Sequence, residues 1–222
     1  MNWSAILEFA RGPLFQVALL VFIAGMLYRL VRLVLLGHVA GHNPARPNRL
    51  KAVGQSYLKS WGIWPFIPLV KNTFNANPVT FLAGGLFHLG LLVVIFLGTP
   101  HMLVWKSLIG LGWPTLPTPI VDWLAAGTIA AMAALATNRL LHPILKMLTG
   151  PADWLNLAAV FLPMLTGYMM THHLWFRYEV LFSLHMLTVD ALLIWIPLSR
   201  ISHFMFYFFS RTLHGREFSQ MA

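Results

Sequence analysis

Five stretches of this chain are apolar for long enough to cross a bilayer, and they limit what it can fold into. They cover roughly 14–36, 79–98, 120–138, 154–171 and 179–199. A hydrocarbon core about 30 Å thick takes about 20 residues of helix to span. In lipid each segment has to satisfy its own backbone N–H and C=O groups, which leaves the α-helix open to it. The rest of the composition agrees: 58% of the 222 residues are hydrophobic and only 9% are charged, against about 25% charged in soluble domains. The expectation is an all-α integral membrane protein of five transmembrane helices. It forms a single domain over 1–222, with an inner loop at about 37–78 and no internal repeat.

Charge gives the direction of the spans. A sequence pI near 10.5 invites a nucleic-acid reading, but the basic residues follow the loops instead. Arg29, Arg32, Arg46, Arg49, Lys51, Lys59, Lys71, Arg139, Lys146, Arg200, Arg211 and Arg216 fall on one side, and Arg11, Lys106 and Arg177 on the other. Twelve against three puts the N-terminus outside and the C-terminus in the cytoplasm. The first span has no basic stretch before it and no small-residue cleavage site after it, so it reads as an uncleaved span. "KSWGIWPFIPLVKN" in the long inner loop reads as a segment lying on the membrane surface, or as a docking surface. "LGWPTLPTPIVDW" reads as a Pro-rich cap on the outer face, and the fifth span as continuing in helix toward residue 213.

The absence of cysteine excludes a thiolate-ligated iron–sulfur cluster and any disulfide within the chain. Ten histidines remain. An ionisable group inside a span is costly and marks a candidate functional site. His38, His42, His142 and His214 sit in inner loops or at span ends and read as structural. His185 and His203 are 18 residues apart. On an ideal helix that is five turns and about 27 Å, one imidazole per leaflet on one face. Such a pair suits two haem b groups, each needing a second histidine from elsewhere. His88, in the inner half of span two beside Gly84, Gly85 and Gly90, suits the inner haem with His203. Those glycines leave room for a macrocycle, or simply pack helices. The partner of His185 is left open between His101 and His172 or His173. Thirteen residues from His88 turn about 220° on an ideal helix, so His101 depends on a break at Gly98-Thr99-Pro100. Arg200, Arg29 and Arg32 are candidates for haem propionates. Lys106 or the His172-His173 pair are candidates for contact with a quinol, and Asp190 is a candidate proton carrier.

"LFHLGLL" around His88, "TPH" at 99–101, "TGPADWL" opening span four, "LHMLT" around His185 and "LSRISH" ending at His203 together resemble the gamma subunit of respiratory nitrate reductase, a five-span dihaem cytochrome b. They also resemble the membrane subunits of sulfite-reductase-associated and heterodisulfide-reductase-like complexes. The resemblance runs from span two to span five. It implies that His88 and His203 share the cytoplasmic-side haem and that His185 ligates the outer one. The family's partner for that outer ligand falls here on Gly98, a departure that directs attention to His101. The long inner loop favours the heterodisulfide-reductase-like branch, whose soluble partner is an iron–sulfur protein.

The resemblance thus implies a haem-containing subunit of a respiratory complex in a bacterial or archaeal cytoplasmic membrane. It would oxidise menaquinol or ubiquinol near the outer face and pass electrons through two haem b groups to a cytoplasmic iron–sulfur subunit. Its other contacts would be lipid and quinone, with no nucleic acid. The alternative is a haem-free membrane scaffold or small transporter subunit whose histidines only hydrogen-bond between helices.

Overall fold

The computed structural model describes residues 2–37, 50–51, 53–55, 57 and 76–218. The "KSWGIWPFIPLVKN" segment, His38 and His42 lie outside them. Helices account for the ordered structure, with no strand among the described residues. Five are long and apolar enough to span a membrane: Trp3–Leu36, Pro78–Leu97, Thr118–Leu141, Pro151–Thr171 and Tyr178–Leu198. The chain divides into two compact units. One joins residues 1–16 to 76–192 and the other joins 17–75 to 193–222.

The first span starts earlier than the apolar run suggests. Helix α1 (Trp3–Phe9) passes through a π-turn at Ala10–Leu14 into α2 (Phe15–Gly37). Pro13 has no N–H and its ring crowds the carbonyl one turn back. A wider turn accommodates both, and Phe15 N–H reaches the Ala10 carbonyl across it. Gly12-Pro13 therefore modifies the helix instead of starting it.

In the first unit, α3 (Pro78–Leu97) and α5 (Thr118–Leu141) pack together most extensively. Their backbones meet at Gly90, where an added Cβ would lie 1.8 Å from Thr128 Oγ1. Asn77 caps α3 through Thr80 N–H at 2.9 Å, and Asn138 near the far end of α5 donates to both Asn77 and Thr80 at 3.0 Å. Small or hydroxyl residues such as Ala83, Ala125, Thr128, Ala131 and Ser183 are buried, while Leu82, Leu92 and Leu155 face outward. Small inside and large outside is how helices pack in lipid, where close backbone approach is the source of attraction.

Between these helices the chain forms α4 (Thr99–Ile109), stopped by Gly110 at φ 75°. The short α6 (Pro143–Leu148) links α5 to α7 (Pro151–Thr171). Gly150 N–H donates to Asp153 Oδ2 at 3.0 Å and secures the start of α7.

The fifth span is not one helix continuing toward residue 213. Helix α8 (Tyr178–Trp195) ends in 3₁₀ turns at Ile196–Leu198 and Arg200–Ser202, with Ser199 extended between them. Helix α9 (His203–Phe218) then restarts. Pro197 removes a helix donor, and Ser199 Oγ accepts from Ile201 N–H at 3.2 Å to hold the break. The five-turn count between His185 and His203 assumed an unbroken helix, so the expectation that both rings share one face loses its basis.

Candidate metal centre

Helix α3 ends at Gly98, whose ψ of 129° is extended. The last four carbonyls of a helix have no partner within it, and here each finds a different one. The His101 imidazole bonds the Val94 carbonyl. Trp105 Nε1 donates to Ile95 at 3.3 Å and Trp113 Nε1 to Phe96 at 2.5 Å. Leu116 N–H donates to Leu97 at 2.9 Å. The break at Gly98-Thr99-Pro100 thereby folds α4 back onto the end of α3 and fixes the His101 ring.

That ring faces His185 on α8. The two ring centroids are 6.2 Å apart with planes at 61°. Such a distance also suits an ordinary edge-to-face pair, so the surroundings of the rings decide how it reads. His185 Nδ1–H donates to the Pro163 carbonyl at 3.0 Å, with Thr166 Oγ1 at 3.4 Å. That bond leaves Nε2 with the lone pair. Burial pushes the His101 imidazole below its usual range, opposed in part by the Val94 carbonyl, and so favours its neutral form. A Cβ at Gly167 would lie 3.0 Å from His185 Cε1 and 3.1 Å from its Nδ1. Glycine is the residue that lets α7 lie against this ring. Pro163, Thr166 and Gly167 had no part in the reading of the sequence; a Pro-x-x-Thr-Gly run inside a span was the signal available.

His88 and His203 carry the same type of bond. His88 Nδ1–H donates to the Gly84 carbonyl at 2.7 Å, and His203 Nδ1–H to the Arg200 carbonyl at 3.0 Å. Both rings are exposed. No described atom lies within 4 Å of a Cβ built on Gly84 or Gly85. Gly90 is a packing glycine, whereas Gly84 and Gly85 border open space near His88. His88 belongs to the first unit and His203 to the second, so their pairing rests on the resemblance.

The remaining candidates have other neighbours. His172 Nε2 lies 4.0 Å from Asp122 Oδ2, and its ring packs on Tyr168 with centroids 4.3 Å apart. The His173 ring lies 5.9 Å from that of Tyr178. In the second unit, Arg29 Nη1 donates to the Ser199 carbonyl at 3.0 Å and to Ser202 Oγ, at the turn just before His203. Arg32 and Arg200 are exposed. Lys106 is exposed and lines a depression of about 400 Å³ with Met102, Gly112, Trp113 and Pro114. Asp190 is 1% exposed, and neither carboxylate oxygen has a hydrogen-bond partner among the described residues.

A protein of Nitratidesulfovibrio vulgaris, strain Hildenborough, is 28% identical to this chain over 216 residues, covering 95% of this chain and 92% of its own. Its name carries no activity. No family model matches the chain, and no solved structure does.

The fit of a haem can be tested on the described residues. Among them no three His, Asp or Glu side chains converge to cage an ion, but haem iron needs only two axial ligands from protein. Two imidazoles that hold one haem iron would have to face each other, and the His101 and His185 rings do, with centroids 6.2 Å apart. The four expected ligands each hold a ring nitrogen on a backbone carbonyl, the arrangement that orients imidazole for a metal.

Proposed function

We propose that this chain is a haem b-containing membrane subunit that oxidises quinol near the outer face and delivers electrons to a cytoplasmic iron–sulfur partner. The apposition of His101 and His185, each held by a backbone carbonyl, is the observation that carries the reading. His101 and His185 would hold the outer haem. His88 and His203 would hold the inner one, with Arg29, Arg32 and Arg200 as candidates for its propionates. Haem supplies one-electron redox chemistry at a fixed place in the membrane, which cysteine-free side chains cannot provide. The chain's own residues orient the imidazoles, through the Val94 carbonyl at His101 and the Pro163 carbonyl at His185. The resemblance to the nitrate reductase gamma subunit and the heterodisulfide-reductase-like membrane subunits supports quinol as donor and an iron–sulfur protein as acceptor.

Optical titration of the purified protein tests this. A hydroquinone should reduce haem b that dithionite also reduces, and His185→Ala should abolish the hydroquinone-reducible fraction. Haem reduced by dithionite but never by hydroquinone would contradict the reading. The haem-free scaffold or transporter reading has one observation in its favour, the buried Asp190 with no hydrogen-bond partner among the described residues. It predicts no haem bands at all.

A further inference from the structure

Arg29 lies within the first span, Trp3–Leu36, where a charge is costly and calls for a reason. An arginine toward the end of a span can extend its long stem and place the guanidinium in water. Arg32, three residues on, is exposed, whereas Arg29 is half-buried. Its guanidinium turns to the break in the fifth span. Nη1 donates to the Ser199 carbonyl at 3.0 Å and to Ser202 Oγ. All three residues belong to the second unit.

The contact is built one helical turn at a time. Gly25 stands four residues before Arg29, so both lie on one face of α2. A Cβ at Gly25 would lie 2.6 Å from Pro197 Cβ, so glycine is what lets α2 come this close to the start of the break. One turn further along, Arg29 meets its second half. Ser202 Oγ donates to the Ser199 carbonyl at 2.9 Å, so that carbonyl accepts from both Ser202 and Arg29. Ser202 is 1% exposed, and His203, the next residue, is exposed. Neighbouring residues on a helical backbone point about 100° apart, so a Ser202 pinned inward directs His203 outward. The Arg200 carbonyl, which accepts from His203 Nδ1–H at 3.0 Å, lies inside the clamped segment. The ring and the acceptor that orients it are therefore held together.

We infer that Arg29 is a positioning residue for the inner haem ligand: by tying Ser199 to Ser202 it sets the direction in which His203 presents its imidazole. This rests on the proposed function, which gives His203 its iron, and adds to it a residue that acts through that ligand. Outer partners of this kind are worth about 10–100-fold in metal affinity.

Haem titration and EPR of the purified full chain test the inference, with Arg29→Gln, Arg29→Lys, Ser202→Ala and His203→Ala beside the wild type. The largest g value of a ferric bis-imidazole haem follows the angle between its two ring planes, so it reads the direction of His203 and not the fold alone. Arg29→Gln should move that value for the inner haem only and weaken inner haem loading about tenfold. Ser202→Ala leaves the guanidinium in place and should act in the same sense, and the double variant should do little more than either change alone. Arg29→Lys keeps a donor for the Ser199 carbonyl and should recover loading in part. Amide exchange at 201–203 of the haem-free chain should quicken in Arg29→Gln, which reads the clamp without the metal. An inner haem that His203→Ala removes, but that Arg29→Gln and Ser202→Ala leave unchanged, would overturn the inference and leave the proposed function standing. So would an effect of Arg29→Gln that Ser202→Ala does not share, at unchanged amide exchange, since that pattern belongs to the charge of Arg29. Full haem content in His203→Ala would sink the proposed inner pair, and the inference with it.

Discussion

The glycines separate by what their missing Cβ would touch. At Gly167 a methyl group would lie 3.0 Å from the His185 ring, so Gly167→Ala requires the imidazole to shift by a few tenths of an ångström. Glycine to alanine favours a helix by about 1 kcal/mol, so the helix itself should not suffer. The expected outcome is loss of the outer haem alone, or at least a tenfold drop in its affinity, in a protein that melts no lower without haem. At Gly84 no described atom stands in the way. Gly84→Ala should therefore leave the haem-free protein intact and weaken loading at His88 if the macrocycle occupies that space. Haem titrations beside thermal melts of both variants check the pair. The sequence could nominate His88 and His185 because intramembrane imidazoles are rare and costly, and His101 and His203 by their spacing from those two. It could not nominate Gly167, Thr166 or the Pro163 carbonyl. Their contribution is a contact with a ring 18 or more residues away, and no local pattern encodes that.

At the scale of elements, the folded-back α4 determines where His101 stands. Its position depends on four donors meeting the four orphan carbonyls of α3, and Trp113 supplies one from the Pro-rich connection. Trp113→Phe keeps the ring and removes the donor. Losing this exposed hydrogen bond should cost about 0.5–1.5 kcal/mol, read as a lower denaturation midpoint. Because α4 is held at its ends by such bonds, the outer haem spectrum should shift while the inner one stays. The Gly98-Thr99-Pro100 break was legible as a break, but not its direction: whether the next helix continues, turns out or folds back depends on Trp105, Trp113 and Leu116 finding the carbonyls. The opposite error arose at Pro197 and Ser199. The apolar run there is continuous, so hydropathy reads a single helix, whereas proline chemistry and a serine cap interrupt it. The π-turn at Pro13 is the milder case, in which the helix absorbs the proline and goes on.

At the scale of the whole molecule, the five spans were legible because lipid leaves a chain few options, and 20-residue apolar runs have no other use in it. An N-terminus outside and a C-terminus in the cytoplasm is the expectation from loop charge, twelve basic residues against three. It can be tested simply, since the chain has no cysteine of its own. Asn2→Cys should react with a membrane-impermeant maleimide on intact cells, and Ser210→Cys only after permeabilisation. The reverse pattern would invert the proposed direction of the relay. The central claim is that four histidines hold two haems, with His101 standing where the resembling family has its outer ligand at the position of Gly98. The most direct measurement is haem quantitation by pyridine haemochrome on the purified full chain, wild type beside His101→Ala. Two haems falling to one is the predicted result. Two haems in both proteins would remove His101 from the centre, and none in the wild type, after expression with ample haem, would contradict the account as a whole.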